Sequence, residues 1–355
     1  MKARVSGLGL WVPPEVRTND AWSPAFIAAA RERGDRLLVD IPAAGDGLDA
    51  ITAGHLAAEA ADPFLGAVTR HVSVDEPAWR AEAAAGAAAL ADAGIAGEDL
   101  DAVLSWSIVA DRPMLPSATR VAHELGARRA WATGADSGCA SALVQLDLAA
   151  ALVESGRARH VLLTQSHLIT RAFPLGHPAS PGVGDGATAM VISASESAGI
   201  LTTCSTSQGE YWDAVTWVRG EAETDTPWYE AGGPFGPGSR NREGAKALMQ
   251  HTVRFGVDTI REACRRAAVR PEAIGALASV QPRGWIPGAI AEGLGLDPAL
   301  APTTYARLAH LGGAGVVANL AACREAGLLR PGTLVALYAQ GAGFTRSATL
   351  LRWEV

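Results

Sequence analysis

Short apolar runs alternate with helix-like stretches along most of the chain. "LDAVLSWSIV" (residues 100–109) is a run of the length and composition of a buried strand. A helix-like stretch, "SATRVAHELGA", follows it, and "RAWATGADSG" then leads to Cys139. The next stretch, "ALVQLDLAAALVESGRAR", predicts a helix stopped at Glu-Ser-Gly, with "HVLLTQS" as the following strand. "GDGATAMVISAS" (184–195) predicts a glycine-tight turn feeding another strand, and the start "MKARVSGLGLWVPPEV" a first strand and turn. "IGALASVQ", "PGAIAEGLGL", "TTYARLAHLGGAG", "VVANLAACREAGLLRPG", "TLVALYAQ" and "GAGFTRSATLLRWEV" repeat this order in the second half.

The repeat has a register. Glu154-Ser155-Gly156 answers Glu325-Ala326-Gly327; Cys139 lies 15 residues before Glu154 (154 − 139), and His310 lies 15 before Glu325 (325 − 310). A thiol and an imidazole therefore hold equivalent places in two similar βα halves, 1–195 and 196–355. Strand–helix alternation predicts mainly parallel sheets covered by helices. If the halves pack about a pseudo-twofold axis, the two helix starts can meet at the centre. A thiol there would feel the helix dipole and have its pKa lowered. An imidazole opposite could serve as its base. The bland alternatives are a buried structural Cys, in the small-residue setting "GADSGCASAL", and a loop His satisfied by the core.

Composition narrows the field. Apolar residues make up 48% and charged residues 19%, enough for a large dry core in 355 residues. A net charge of −7 without a Lys/Arg run argues against a nucleic-acid surface. No continuous apolar stretch has the length of a membrane span, and the broken apolar start does not read as a signal peptide. The four cysteines, Cys139, Cys204, Cys264 and Cys323, are scattered without a CxxC pair, which favours a reducing cytoplasm and offers no zinc signature. Neither an HExxH motif nor a nucleotide loop is present, so no metal or cofactor is expected.

Several separated motifs in order carry a family resemblance: "GLGLWVPPEVRTND", "LPSATRVAHELG", "SGCASA", "GDGATAMVI" and "LLRPGTLVALYAQGAGFTRSATLLRW". With these the chain resembles the thiolase-fold condensing enzymes, closest to the ketoacyl-ACP synthase III group. The resemblance implies a thiolase-like α/β fold of two halves in αβαβα layers. It implies Cys139 as the acyl-accepting nucleophile, with an oxyanion hole made by its own N–H and that of Ala342. The turn Gly184-Asp185-Gly186-Ala187 is implied to be structural.

Departures from the family pattern are informative. The family takes its His from a "PHQAN"-like turn; here Val280, or Gln281 with a one-residue gap, holds that place, and neither is a base. The family's Asn of a "GN" turn is replaced by His310. The pair that stabilises the enolate of a decarboxylating malonyl thioester is thus changed, whereas a thiol, an oxyanion hole and one imidazole remain. That equipment fits an acyltransferase passing an acyl group from an acyl carrier protein (ACP) or coenzyme A thioester to a hydroxyl, amine or thiol, in natural-product, polyketide-type biosynthesis. Two alternatives stay open: a carbon–carbon condensing enzyme with an altered triad, and a catalytically silent partner subunit.

His167 and His177 are further candidates for the missing basic role. The aromatic-rich stretch 205–241 could be a binding wall, a flap or a dimer-contact loop; an Ala-rich stretch within 20–49 has no readable role. Homodimerisation is expected by analogy, and Arg70 or Arg283 could meet the carrier.

Overall fold

The computed structural model describes residues 1–40, 47–197, 199–219 and 235–354. One sheet is built from the first half and runs, edge to edge, Lys2–Trp11, Gly186–Ser195, His160–His167, Ala102–Ser107 and Trp131–Gly134. The other is built from the second half and runs Ile274–Ser279, Leu334–Gly341, Thr345–Arg352 and Ile200–Ser207. Alternation along each strand splits its apolar residues between two faces. Leu104, Leu163 and Met190 of the first sheet and Val335, Leu337 and Leu351 of the second face a common core. Val103, Leu162 and Val191 face outward onto the helix Ala78–Ala93. Leu277, Ala336 and Tyr338 face the helices Thr252–Arg266 and Ile286–Gly293.

Between the sheets lie the helices Ser141–Glu154 and Gly315–Glu325. Leu143, Leu146 and Val153 of one and Val316, Leu320 and Cys323 of the other fill that core. Both are apolar around much of their circumference because both are sandwiched. Each is followed by a glycine in the left-handed region, Gly156 (φ 75°) and Gly327 (φ 71°), a conformation that suits the end of a helix. These are the repeated Glu-x-Gly stops of the sequence. The layers are helix, sheet, helix, sheet, helix: a thiolase-like fold.

The expectation of mainly parallel sheets needs correction. Ala102–Ser107 is parallel to both its neighbours and Ile274–Ser279 is parallel to Leu334–Gly341, but the other pairings of the two large sheets are antiparallel. Strand–helix alternation gives the parallel pairs. Each half then closes with a strand returning without a helix: His160–His167 to Gly186–Ser195, and Leu334–Gly341 to Thr345–Arg352.

The described part of 205–241 carries more regular structure than its irregular sequence suggested. Ser205–Ser207 end a strand, and Thr216–Arg219 pairs with Phe235–Gly238 as a separate two-stranded ribbon. Residues 220–234, and 41–46 of the Ala-rich stretch, lie outside the described residues. No described helix is long and apolar enough to cross a membrane.

Candidate active site

Cys139 precedes the helix Ser141–Glu154 by one residue, Ala140. Its loop is tied from several sides. Gly138 N–H donates to Asp136 Oδ1 at 2.8 Å, Ser141 Oγ donates to Gly138 O at 2.7 Å, and Trp106 Nε1 donates to Asp136 Oδ1 at 2.7 Å. Gly138 has φ 57°, and an added Cβ there would fall 2.7 Å from Ala342 N. A Cβ on Gly341 would fall 2.1 Å from Ser137 O and 2.8 Å from Cys139 N. Backbone therefore lies directly on backbone where the "GAGF" turn meets the nucleophile loop, which only small residues allow. The turn is pinned at its far end by Phe344, buried and set edge-on to Tyr211 and Phe255 at 5.6 and 5.2 Å.

His310 comes to the same place from the second half, its Nε2 3.7 Å from Cys139 Sγ. Its Nδ1 lies 3.1 Å from the Gln281 carbonyl oxygen. A carbonyl can only accept, so Nδ1 carries the proton and Nε2 offers its lone pair to the thiol. The His310 backbone is clamped as well: its N–H donates to Gly182 O at 2.9 Å and its carbonyl accepts from Gly184 N–H at 3.1 Å. Ala309, the residue before it, is held at φ 54°, a strained conformation for a side chain bearing a Cβ.

The electrostatics run against the sequence reading. The helix start does not lower the Cys139 pKa; burial, with the Asp136 carboxylate nearby, pushes the thiol up to about 12. Burial, with His167 adding to it, takes His310 down to about 3. The resting pair is a neutral thiol and a neutral imidazole.

Gln281, in the place of the family's His, turns away from the thiol. Its Nε2 donates to Thr304 Oγ1 at 2.8 Å and to Ala309 O, while its Oε1 accepts from Thr303 Oγ1 and from Asn319 Nδ2. This buried network is structural, and Asn319 escaped the sequence reading because nothing local marks a residue 38 positions away as its partner. Val280 is fully buried in the core. Asp185 of the glycine turn accepts from Ser73 N–H, Thr170 N–H and Thr170 Oγ1.

Other candidates separate. His167 is buried beside His310, with ring centroids 5.4 Å apart. His177 stacks edge-on against Phe173, and its Nδ1 accepts from Ala179 N–H at 3.1 Å. Arg70 cannot meet a carrier: it is fully buried, donating to Pro181 O and Asn19 Oδ1 beneath the Trp22 ring. Arg283 lines a cavity of about 640 Å³ together with Arg33, Arg242 and Lys246, and ion-pairs with Glu59 at 3.1 Å. A second, more polar cavity of about 930 Å³ lies behind the nucleophile loop along Trp106, Asp136 and Met114. Among the described residues, Cys139 and His310 line neither cavity.

Comparison with known proteins follows this geometry. A family model described as 3-oxoacyl-[acyl-carrier-protein (ACP)] synthase III matches residues 135–209, and one for the C-terminal part of the same enzyme matches 264–353. Among curated proteins, beta-ketoacyl-[acyl-carrier-protein] synthase III of Rhodospirillum rubrum is 30% identical over 298 residues, covering 81% of this chain and 88% of the relative. The protein of that name from Rhodobacter capsulatus is 28% identical, covering 76% of this chain and 82% of the relative. Among solved structures, the 3-oxoacyl-(acyl carrier protein) synthase III of Pseudomonas aeruginosa superposes with TM-score 0.79 at 24% identity, covering 100% of this chain and 99% of that one. A priming beta-ketosynthase from a polyketide biosynthetic pathway gives 0.79 at 21%, covering 99% and 96%. At such identities the structures speak for the fold alone.

Proposed function

The chain belongs to the beta-ketoacyl-[acyl-carrier-protein] synthase III family, and from that premise we propose that it is an acyltransferase working through Cys139. The donor is an ACP or coenzyme A thioester, and the acceptor a hydroxyl, amine or thiol. The observation that carries the reading is the 3.7 Å approach of His310 Nε2, lone pair foremost, to Cys139 Sγ where the family's own base is absent.

Sulfur attacks the thioester carbonyl while its proton passes to His310 Nε2, because neither group is charged beforehand. The N–H groups of Cys139 and Ala342 hold the oxyanion, each such donor being worth roughly 3–4 kcal/mol. Collapse expels the carrier thiolate, which takes the proton from Nε2 and leaves a Cys139 thioester. The acceptor then gives its proton to Nε2 as it attacks the thioester, and the departing Cys139 sulfur recovers that proton. Arg33, Arg242, Lys246 and Arg283, against Glu59 and Asp62, leave the 640 Å³ cavity net basic and suited to the anionic phosphate of a carrier.

Intact-mass measurement after incubation with aromatic and aliphatic acyl thioesters tests this. A mass gain that disappears in Cys139→Ala is expected; no gain with any donor, in folded protein with a free thiol, overturns the reading. Condensation is the second reading, favoured by the names of the curated relatives. Carbon dioxide release from a malonyl thioester would establish it, and its absence alongside an acyl-enzyme would dismiss it.

A homodimer belongs to the same proposal. Trp131–Gly134 is one of the two edge strands of the first sheet, and Trp131 at its start is exposed. Light scattering is expected to give twice the 36.6 kDa chain mass; a single-chain mass at micromolar concentration would overturn it.

A further inference from the structure

His167 closes the strand His160–His167, opposite Gly186, and only 2% of it is exposed. Its Nδ1 lies 2.9 Å from the Gly184 carbonyl oxygen, so Nδ1 holds the proton and Nε2 is bare. Two routes lead from this ring to His310. The first is direct: the rings stand edge-on, inclined at 64°. The second runs through one residue, because Gly184, whose carbonyl accepts a hydrogen bond from His167 Nδ1–H, also donates its N–H to the His310 carbonyl.

The neighbouring backbone is shaped around the ring. Gly312, two residues beyond His310, has φ 52°, and a Cβ added there would fall 2.3 Å from His167 Cδ2. A buried imidazole is a poor choice for packing alone, since a polar ring loses hydration that one hydrogen bond only partly replaces. A phenyl ring would fill similar space without desolvating a polar ring, but it would leave the buried Gly184 carbonyl without its donor, the larger cost. What the imidazole adds is the N–H that holds Gly184.

We propose that His167 is a positioning residue: through Gly184 and through its ring edge it keeps His310 in the one orientation that aims Nε2 at Cys139 Sγ, while the Gln281 carbonyl fixes the tautomer. The inference rests on His310 being the proton acceptor for Cys139. It assigns His167 no contact with the acyl group.

Nitrogen-15 spectra of histidine-labelled protein test it without any variant. His310 and His167 are both expected as the Nδ1–H tautomer at neutral pH; mixed or charged His310 in the wild type overturns the proposal. In His167→Phe, His310 is expected to keep the Nδ1–H tautomer but to show displaced ring-nitrogen signals, and the single-turnover rate of Cys139 acylation to fall on the order of ten- to a hundredfold, the scale of a misplaced catalytic group. Wild-type rate with an unchanged His310 spectrum overturns it. His167→Asn keeps an N–H near the Nδ1 position and is expected to recover part of the rate; no recovery overturns the route through Gly184. If the wild type forms no acyl-enzyme, the acyl-transfer reading fails, while the nitrogen spectra still decide whether His167 holds His310.

Discussion

Between Cys139 and His310 the proton stays on sulfur at pH 7, because burial moves the thiol up to about 12 and the imidazole down to about 3. A preformed thiolate–imidazolium pair would require the opposite displacement of both groups. The pH dependence of alkylation by iodoacetamide separates the two states. Cys139 is expected to react slowly at pH 6–8, with a rate rising about tenfold per unit through pH 9 as the thiolate fraction grows. A plateau reached below pH 7 would mean that an ion pair exists. His310→Gln should leave this profile nearly unmoved, since no proton rests on Nε2, yet slow acylation by a thioester about 10²- to 10⁴-fold, the usual contribution of a general base. The place of both residues was legible from the equal spacing to Glu154 and Glu325. Their charge state was not, because depth of burial is set by five layers and not by the ten residues around the thiol.

The nucleophile loop and the "GAGF" turn work as one element pair, since each fits only where the other lacks a side chain. Gly341→Ala would drive a methyl to 2.1 Å from Ser137 O, and the three nearest atoms it meets are backbone. The turn must back away, carrying Ala342 N–H from the site. Acyl-enzyme formation is expected to fall about 10²- to 10³-fold, as on losing one oxyanion donor, with the circular dichroism spectrum retained. An unchanged rate would remove Ala342 from the oxyanion hole. The apolar runs and glycine stops located most of the elements around this junction, and the end-to-end motifs identified the fold. Strand direction was hidden: a strand returning after a long loop, such as Gly186–Ser195, has the same composition as one returning after a helix. Hidden too was the Gln281–Asn319 network, where a polar residue in the family's catalytic place serves packing. The difference between those roles lies in which way one amide points, and no local pattern records it.

Across the whole molecule the same burial makes stability depend on acid. His167 and His310 lie at about 4 and about 3 in the folded protein, against an ordinary 6.5, and His160 and His177 are also lowered by burial. Below 6.5 the unfolded chain takes up protons that these folded rings refuse. Their contribution is therefore complete above 6.5, declines as pH falls, and levels off only where the folded rings themselves titrate. By pH 5 the loss is about 2 kcal/mol for each of His167 and His310. The buried carboxylates Glu82 and Asp185 act in the opposite sense, because burial raises their pKa values and acid favours their folded form. A difference experiment removes them. Denaturant unfolding of wild type and His167→Phe at pH 7 and pH 5 leaves the carboxylates common to both, so the gap between the proteins isolates the histidine. Losing the Gly184 hydrogen bond makes the variant less stable at pH 7, and that deficit should shrink by about 2 kcal/mol at pH 5. A deficit that stays constant would mean that His167 titrates near 6.5 in the folded protein, and that water reaches the centre where the two halves meet.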